Sequence, residues 1–337
     1  MIRYLIRRLL WALVLFFAVT VVTYVIFFLI PADPAQRACG QLQTQQCLQQ
    51  AHHFLGLDRP VYVQYGKFFG RLLPFDANGL VHGHSPIKTP SLGISFANRQ
   101  QVNSIVGGAA PVTASLVFGG AVTWLLISIP IGILSALRPR SLLDRGAMMF
   151  VLIGISAHPV WIGLIFLYLF AFKVHIFPLG EYCNMINPPV GTSCGGPVQW
   201  FYHLILPWIT FAILFAALYV RMIRANVIET LNEDYVRTAR AKGAPESKVM
   251  RSHVLRNAML PVVTMLGMDI ALGLGGAIFT ENVYDLPGLG RVLRLSLDNF
   301  DLPTTQGIVV FGTVAIIAFN LIVDLLYAAI DPRIRLS

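Results

Sequence analysis

Six long apolar runs alternate with polar stretches, near residues 9–30, 112–137, 147–172, 203–222, 260–280 and 306–330. Each approaches or exceeds the roughly 20 residues that a helix needs to cross the hydrocarbon core of a bilayer. The pattern predicts an all-α integral membrane protein with six transmembrane helices. Several runs contain Gly and Pro, which membrane helices tolerate when neighbours surround them. The fourth run has the least definite edges: Pro207 interrupts it, and it passes into Arg221 without a sharp boundary. The first run follows Arg3, Arg7 and Arg8, as a secretory signal would. It is too long for one, and it ends in Ile30-Pro31-Ala32-Asp33 without a small-x-small cleavage site, so it reads as an uncleaved first helix. The expected division is a first transmembrane helix over 1–30, an outside loop region over 31–110, a transmembrane core over 109–330 and a tail over 331–337.

Composition agrees. The 337 residues are 56% hydrophobic and 12% charged, against about 25% charged in a soluble domain. The net charge of +9 then reflects Lys and Arg kept on the cytoplasmic side, and no nucleic-acid partner is expected. With the N-terminus inside, the segments on its side hold Arg3, Arg7, Arg8, Arg138, Arg140, Arg145, Arg221, Arg224, Arg237, Arg240, Lys242, Lys248, Arg251, Arg256, Arg333 and Arg335. That is 16 of the 25 basic residues. The asymmetry places both termini in the cytoplasm.

The stretch from Arg221 to Pro261 is a polar island between two spans. It holds a short helix candidate, Glu233 to Lys242, closed by Gly243, the usual residue just past a helix end. Ala244-Pro245 then begins a second helix, with Glu246 in its first turn. Small residues, Ala239 and Ala241, lie between the basic Arg237, Arg240 and Lys242. Small side chains permit close approach to another surface, and the basic groups reach acidic or carbonyl partners around it. A docking helix fits this spacing, and so does a solvated cytoplasmic loop.

The string DYVRTARAKGAPESKVMRSHVLRNAMLPVVT (234–264) resembles the signature of the permease subunits of dipeptide and oligopeptide ABC importers. LGLDRPVYVQY (55–65), SLGISFANRQQV (91–102), ENVYDLPGLGRV (281–292) and NLIVDLLYAAIDPRIR (320–335) resemble the same family. The wider superfamily carries Glu-Ala-Ala, three residues, then Gly. Here Arg237-Thr238-Ala239 stand in that place, Gly243 is kept, and Leu255-Arg256 replace the closing Leu-Pro, departures typical of the peptide branch. The resemblance implies a coupling helix formed by Arg237, Thr238, Ala239, Arg240, Ala241, Lys242, Gly243, Ala244 and Glu246. It implies a second, homologous permease subunit, one or two cytoplasmic ATPase subunits that bind ATP and Mg, and an extracytoplasmic substrate-binding protein. No cofactor is expected in this chain. Peptides are the family's main cargo; relatives carry nickel complexes, glutathione, haem or sugars.

In the large outside loop, Leu42 to Leu55 predicts a helix ended by Gly56. Pro60 to Leu73 predicts an amphipathic helix with Val61, Tyr65, Phe68, Phe69 and Leu72 on one side, suited to the membrane interface. Ala77 to Pro90 fits the family poorly and reads as a flexible loop that extends a docking surface. All four cysteines fall in outside segments, where disulfides persist. Of three connectivities, Cys39–Cys47 and Cys183–Cys194 is the favoured one, against free thiols. Neither spacing suits a zinc site. His52, His53, His82 and His84 are either metal ligands or ordinary loop histidines, and no metal site is assigned.

Inside the spans, ionisable residues are functional candidates. Asp269 lies in MLGMDIALGLGGAIF (265–279) among Gly267, Gly273, Gly275 and Gly276. Glycines there allow close packing or a thin-walled passage. Asp269, Gly273, Gly276 and His158 are candidates for the translocation path; Asp269 could equally sit protonated or ion-paired at a helix contact, and His158 could bond a carbonyl freed by Pro159. Asn320 and Asp324 share one face and read as structural. No GxxxxGK[ST] phosphate loop, Gly-x-Ser-x-Gly, His-Glu-x-x-His or carboxylate pair occurs, so the chain is expected to be no enzyme, with ATP hydrolysed on partners. A gradient-driven transporter or channel without an ATPase remains the alternative class.

Overall fold

The computed structural model describes residues 2–26, 39, 44–55, 60–73, 90–186, 194–275 and 277–330. The described residues form helices and connecting loops, with no strand among them. In chain order these are α1 (Ile2–Tyr24), α2 (Gln45–Leu55), α3 (Val61–Leu72), α4 (Val102–Leu137), α5 (Leu142–Ser156) and α6 (Pro159–Phe166), which continues as π-helical turns over Leu167–Lys173. Then come α7 (Pro197–Leu231), α8 (Asp234–Ala241), α9 (Glu246–Ala258), α10 (Leu260–Leu274), α11 (Ile278–Val283), α12 (Leu289–Asp298) and α13 (Leu302–Ile330).

Among the described residues, four helices are long and apolar enough to cross a membrane singly: Ile6–Tyr24, Val102–Leu137, Pro197–Leu231 and Leu302–Val323. The other two apolar runs differ from the straight spans expected at 147–172 and 260–280. α5 and α6 meet at 104°, and α9 and α10 at 44°. The first break follows from Pro159, which disfavours helical geometry at the residue before it. Ala157 and His158 are accordingly extended, with ψ 123° and 135°. α5 has 15 residues, so it is about 22 Å long, short of the roughly 30 Å core.

α4 and α7 instead exceed the runs expected at 112–137 and 203–222. Their 36 and 35 residues give rods of about 53 Å. This explains the blurred edge at Arg221: α7 continues ten residues beyond it to Leu231, carrying the polar island away from the apolar layer. α4 and α7 also form the core. Trp124 of α4 is fully buried and stacks on Phe215 with ring centres 4.7 Å apart, flanked by Phe211 and Tyr219.

The loop joining α4 to α5 is fixed by one buried acid. Asp144 accepts from Ser135 Oγ at 2.5 Å, from the Arg140 backbone N–H at 2.8 Å and from Arg224 Nε and Nη2 at 2.7 and 3.0 Å. Removing one member of such a pair strands the others, at a cost of about 3 kcal/mol. Asp144→Ala is therefore expected to lower the thermal midpoint of the purified protein. Adding Arg224→Ala should cost little more, because the two act as one unit. Equal, additive losses would show that the pair does not act as one.

α3 forms where the amphipathic pattern places it, and its apolar side turns onto α1. Phe68 and Leu72 are buried and Val61 is exposed. Tyr65 packs edge-on to Phe17 and Tyr24, and its hydroxyl meets Thr20 Oγ1 at 3.0 Å. α2 ends at Leu55 as expected; Gly56 and residues 77–89 lie outside the described residues.

Candidate functional site

α8 is a two-turn helix attached by one face. Val236 is fully buried, with Val249 and Val254 of α9 in the same core. Asn257 Nδ2 donates to Tyr235 Oη at 2.7 Å. Glu233 sits at the N-cap and Asp234 in the first turn, where an acid suits the positive end of the helix dipole. At the other end the Gly243 N–H donates to Arg240 O at 2.9 Å and the Ala244 N–H to Ala239 O at 3.2 Å. These two bonds are a Schellman closure, which requires a left-handed residue at position 243. Gly243 supplies it, at φ +77°. A Cβ there would meet nothing within 4 Å, so the position is open on the side away from the chain.

The residues expected to couple fall on and around this knob. Arg237, Thr238, Arg240, Ala241, Lys242, Gly243 and Glu246 are exposed, while Ala239 and Ala244 are half-buried against the core. Arg240 Nε pairs with Glu246 Oε1 at 2.8 Å and Arg237 approaches Asp234 at 3.8 Å. Such exposed pairs contribute under about 1 kcal/mol. They order the basic side chains without using up the surface.

The candidates inside the spans separate. Asp269 of α10 is half-buried and accepts from Tyr219 Oη of α7 at 2.7 Å. Gly267 and Gly273 serve close packing: a Cβ at Gly267 would come within 1.9 Å of Val323, and one at Gly273 within 3.0 Å of Val117. Gly276 lies outside the described residues. His158 is exposed at the break and accepts from the Val160 N–H at 3.3 Å, capping α6; its ring stands edge-on to Phe279. Asn320 is half-buried on α13; the Asp324 side chain lies outside the described residues.

Two buried acids at the end opposite α8 carry no distinctive mark in the local sequence pattern. Glu281 of α11 is fully buried. It accepts from Thr113 Oγ1 at 2.6 Å and from the Arg291 N–H at 3.0 Å, and the Leu289 N–H donates to Thr113 Oγ1 at 2.8 Å. The carboxylate thus closes the N-terminus of α12 from a different helix. Gly288 is obligatory in the approach, since a Cβ would lie 2.3 Å from Glu281 Cδ. Burial pushes the Glu281 carboxyl up from its ordinary range, and the Thr113 and backbone N–H donors oppose that. Asp301 accepts from Ser95 Oγ at 2.5 Å, the Phe96 N–H at 2.9 Å and Thr304 Oγ1 at 2.7 Å. It ties the loop before α4 to the start of α13. The only available signal was an acid among apolar neighbours, as in AIFTENVYDL.

Cys183 and Cys194 are bonded, as their short spacing suggests. His203 Nδ1 lies 3.2 Å from Cys183 Sγ, and the three groups are close enough to hold a metal. The sulfurs, being in a disulfide, offer no thiolates to one. Cys39 is also disulfide-bonded; the Cys47 side chain lies outside the described residues. The bridge closes 11 residues, worth about 3 kcal/mol in the chain-entropy account. Cys183→Ser is expected to lose stability by about that amount, read as a lower unfolding midpoint. An unchanged midpoint would show that the bridge contributes nothing.

Known proteins resemble the chain along its whole length. Residues 128–336 match the model of the binding-protein-dependent transport system inner membrane component, and residues 1–117 match its N-terminal membrane component. The oligopeptide transport system permease protein AppB of Bacillus subtilis is 33% identical, over 98% of this chain and 99% of its own. DdpB of Escherichia coli, provisionally named a D,D-dipeptide transport system permease, is 35% identical over 97% and 96%. A protein of Brucella suis, provisionally named a peptide permease, is 35% identical over the full length of both chains. With these matches and its several apolar helices, the chain is a multi-pass membrane protein that belongs to the binding-protein-dependent transport system inner membrane component family.

Proposed function

We propose that this chain is one permease subunit of an ATP-driven importer for di- and oligopeptides. The observation that carries the reading is α8. It is a short helix, anchored by Val236 and locked by the Gly243 closure, that presents an exposed basic face at the end of an overlong α7. Such a rigid knob transmits movement, whereas a flexible loop would absorb it. The chain crosses the bilayer six times, counting each bent pair once, with both termini and α8 in the cytoplasm, as the basic residues favour. A second permease completes the passage. ATPase subunits, holding ATP and Mg, receive α8, and a binding protein delivers cargo to the end that carries α12 and the Cys183–Cys194 loop. Closing the ATPase pair draws the docking helices together and opens the passage by rigid-body motion. Peptide cargo is supported by the names of the relatives, AppB and DdpB among them.

The test is uptake into proteoliposomes that hold the complete complex and the binding protein. Peptide accumulation should require ATP and survive ionophores that collapse ion gradients. Uptake that follows a gradient and ignores ATP would overturn the reading in favour of a secondary transporter or channel. Uptake of nickel complexes, haem, glutathione or sugars in place of peptides would keep the pump and change the cargo.

A further inference from the structure

Asp269 is a carboxyl well inside a membrane span. It lies nine residues along α10 from Leu260, about 14 Å by helix rise, near the middle of a hydrocarbon core roughly 30 Å thick. An acid at that depth is costly unless it faces a partner, a bundle interior or water. Among the described residues Asp269 has no cationic partner. Its Oδ2 accepts from Tyr219, and its Oδ1 has no hydrogen bond among those residues. The face of α10 next to it is open: Met265, Met268 and Leu272 are 42%, 50% and 64% exposed. A lipid-facing position would leave a charged carboxyl unsolvated, which argues for a polar passage along this face.

Tyr219 is held rigidly. It is 1% exposed and ends a row of aromatic side chains on α7, Phe211, Phe215 and Tyr219, that packs on Trp124. A fixed hydroxyl on Oδ2 orients the carboxylate and leaves Oδ1 pointing away from that bond, a preorganised single acceptor. Flexible thioether side chains beside it adapt to differing shapes.

We propose that Asp269, oriented by Tyr219, is the site in the passage that receives the α-ammonium group of a peptide in transit. The proposal rests on the importer reading above. An α-ammonium is the cation that unmodified peptides share whatever their side chains, and with a free-amine pKa of about 8 it is mostly charged at neutral pH. A single charge-assisted contact is also weak enough to release the cargo, as conduction through a passage requires.

The experiment uses the complete complex in proteoliposomes, with the binding protein saturated by a tripeptide with a free amino terminus. Peptide uptake and ATP hydrolysis are read together. Asp269→Asn keeps an acceptor for Tyr219 and removes the charge. It should lower peptide transported per ATP about tenfold, the scale of one charge-assisted hydrogen bond. Asp269→Glu keeps the charge and should hold at least half of wild-type transport. Wild-type transport by Asp269→Asn would overturn the proposal. So would equal failure of both variants, which would mark the residue as a packing element. A wild-type complex that hydrolyses ATP and moves no peptide would instead overturn the cargo reading, and this proposal with it.

Discussion

Gly243→Asp is expected to leave the protein inserted at normal levels and to abolish uptake while its partners still hydrolyse ATP. The position has φ +77°, and a non-glycine residue there costs on the order of 1 kcal/mol, too little to unfold a span. Nothing in the chain lies within 4 Å of the added Cβ. Any large effect must therefore come from outside the chain. The surrounding face carries Arg237, Arg240 and Lys242, all exposed, so a complementary partner presents acids or carbonyl oxygens. An aspartate there adds like charge at the closest point of approach. A loss of about 1.4 kcal/mol in docking weakens the complex tenfold, so uptake should fall at least that far. Gly243→Asn is the control, because Asn tolerates the left-handed conformation and carries no charge. It should retain more uptake than Asp. Normal uptake by Gly243→Asp would remove α8 from the coupling role.

Glu281→Ala is expected to be the most destabilising single change at the opposite end. It removes an acceptor from the Thr113 hydroxyl and the Arg291 N–H in a fully buried site. Each stranded donor costs about 1–3 kcal/mol, and the lost side chain leaves a void. The sum, about 3–5 kcal/mol, should detach α12 and sharply lower both the inserted amount and the thermal midpoint in detergent. Glu281→Gln retains one acceptor oxygen and should fall in between. An unchanged midpoint in Glu281→Ala would show that this carboxylate does not hold α12.

These two sites differ in how far the sequence reveals them. Gly243 is legible because helix closure is local: the bonds that need it run from positions 243 and 244 back to 240 and 239. The apolar runs of α1, α4, α7 and α13 are legible because length and apolar composition decide whether a helix can cross. The break at His158-Pro159 was visible as a proline, but the 104° angle depends on packing against Phe279 and α11, far along the chain. Glu281 and Asp301 find partners 168 and 206 residues away, and no local pattern encodes such pairings. Asp269 stood out as an acid in an apolar run, whereas its partner Tyr219, 50 residues earlier, looked like one more aromatic in a span.

The most direct measurement of the central claim is ATP hydrolysis by the complex that co-purifies with this chain from intact membranes. It is read with and without mixed short peptides and the cognate binding protein. An ATPase that co-purifies and is stimulated by peptides with the binding protein is the predicted result. The absence of any co-purifying ATPase would contradict the account.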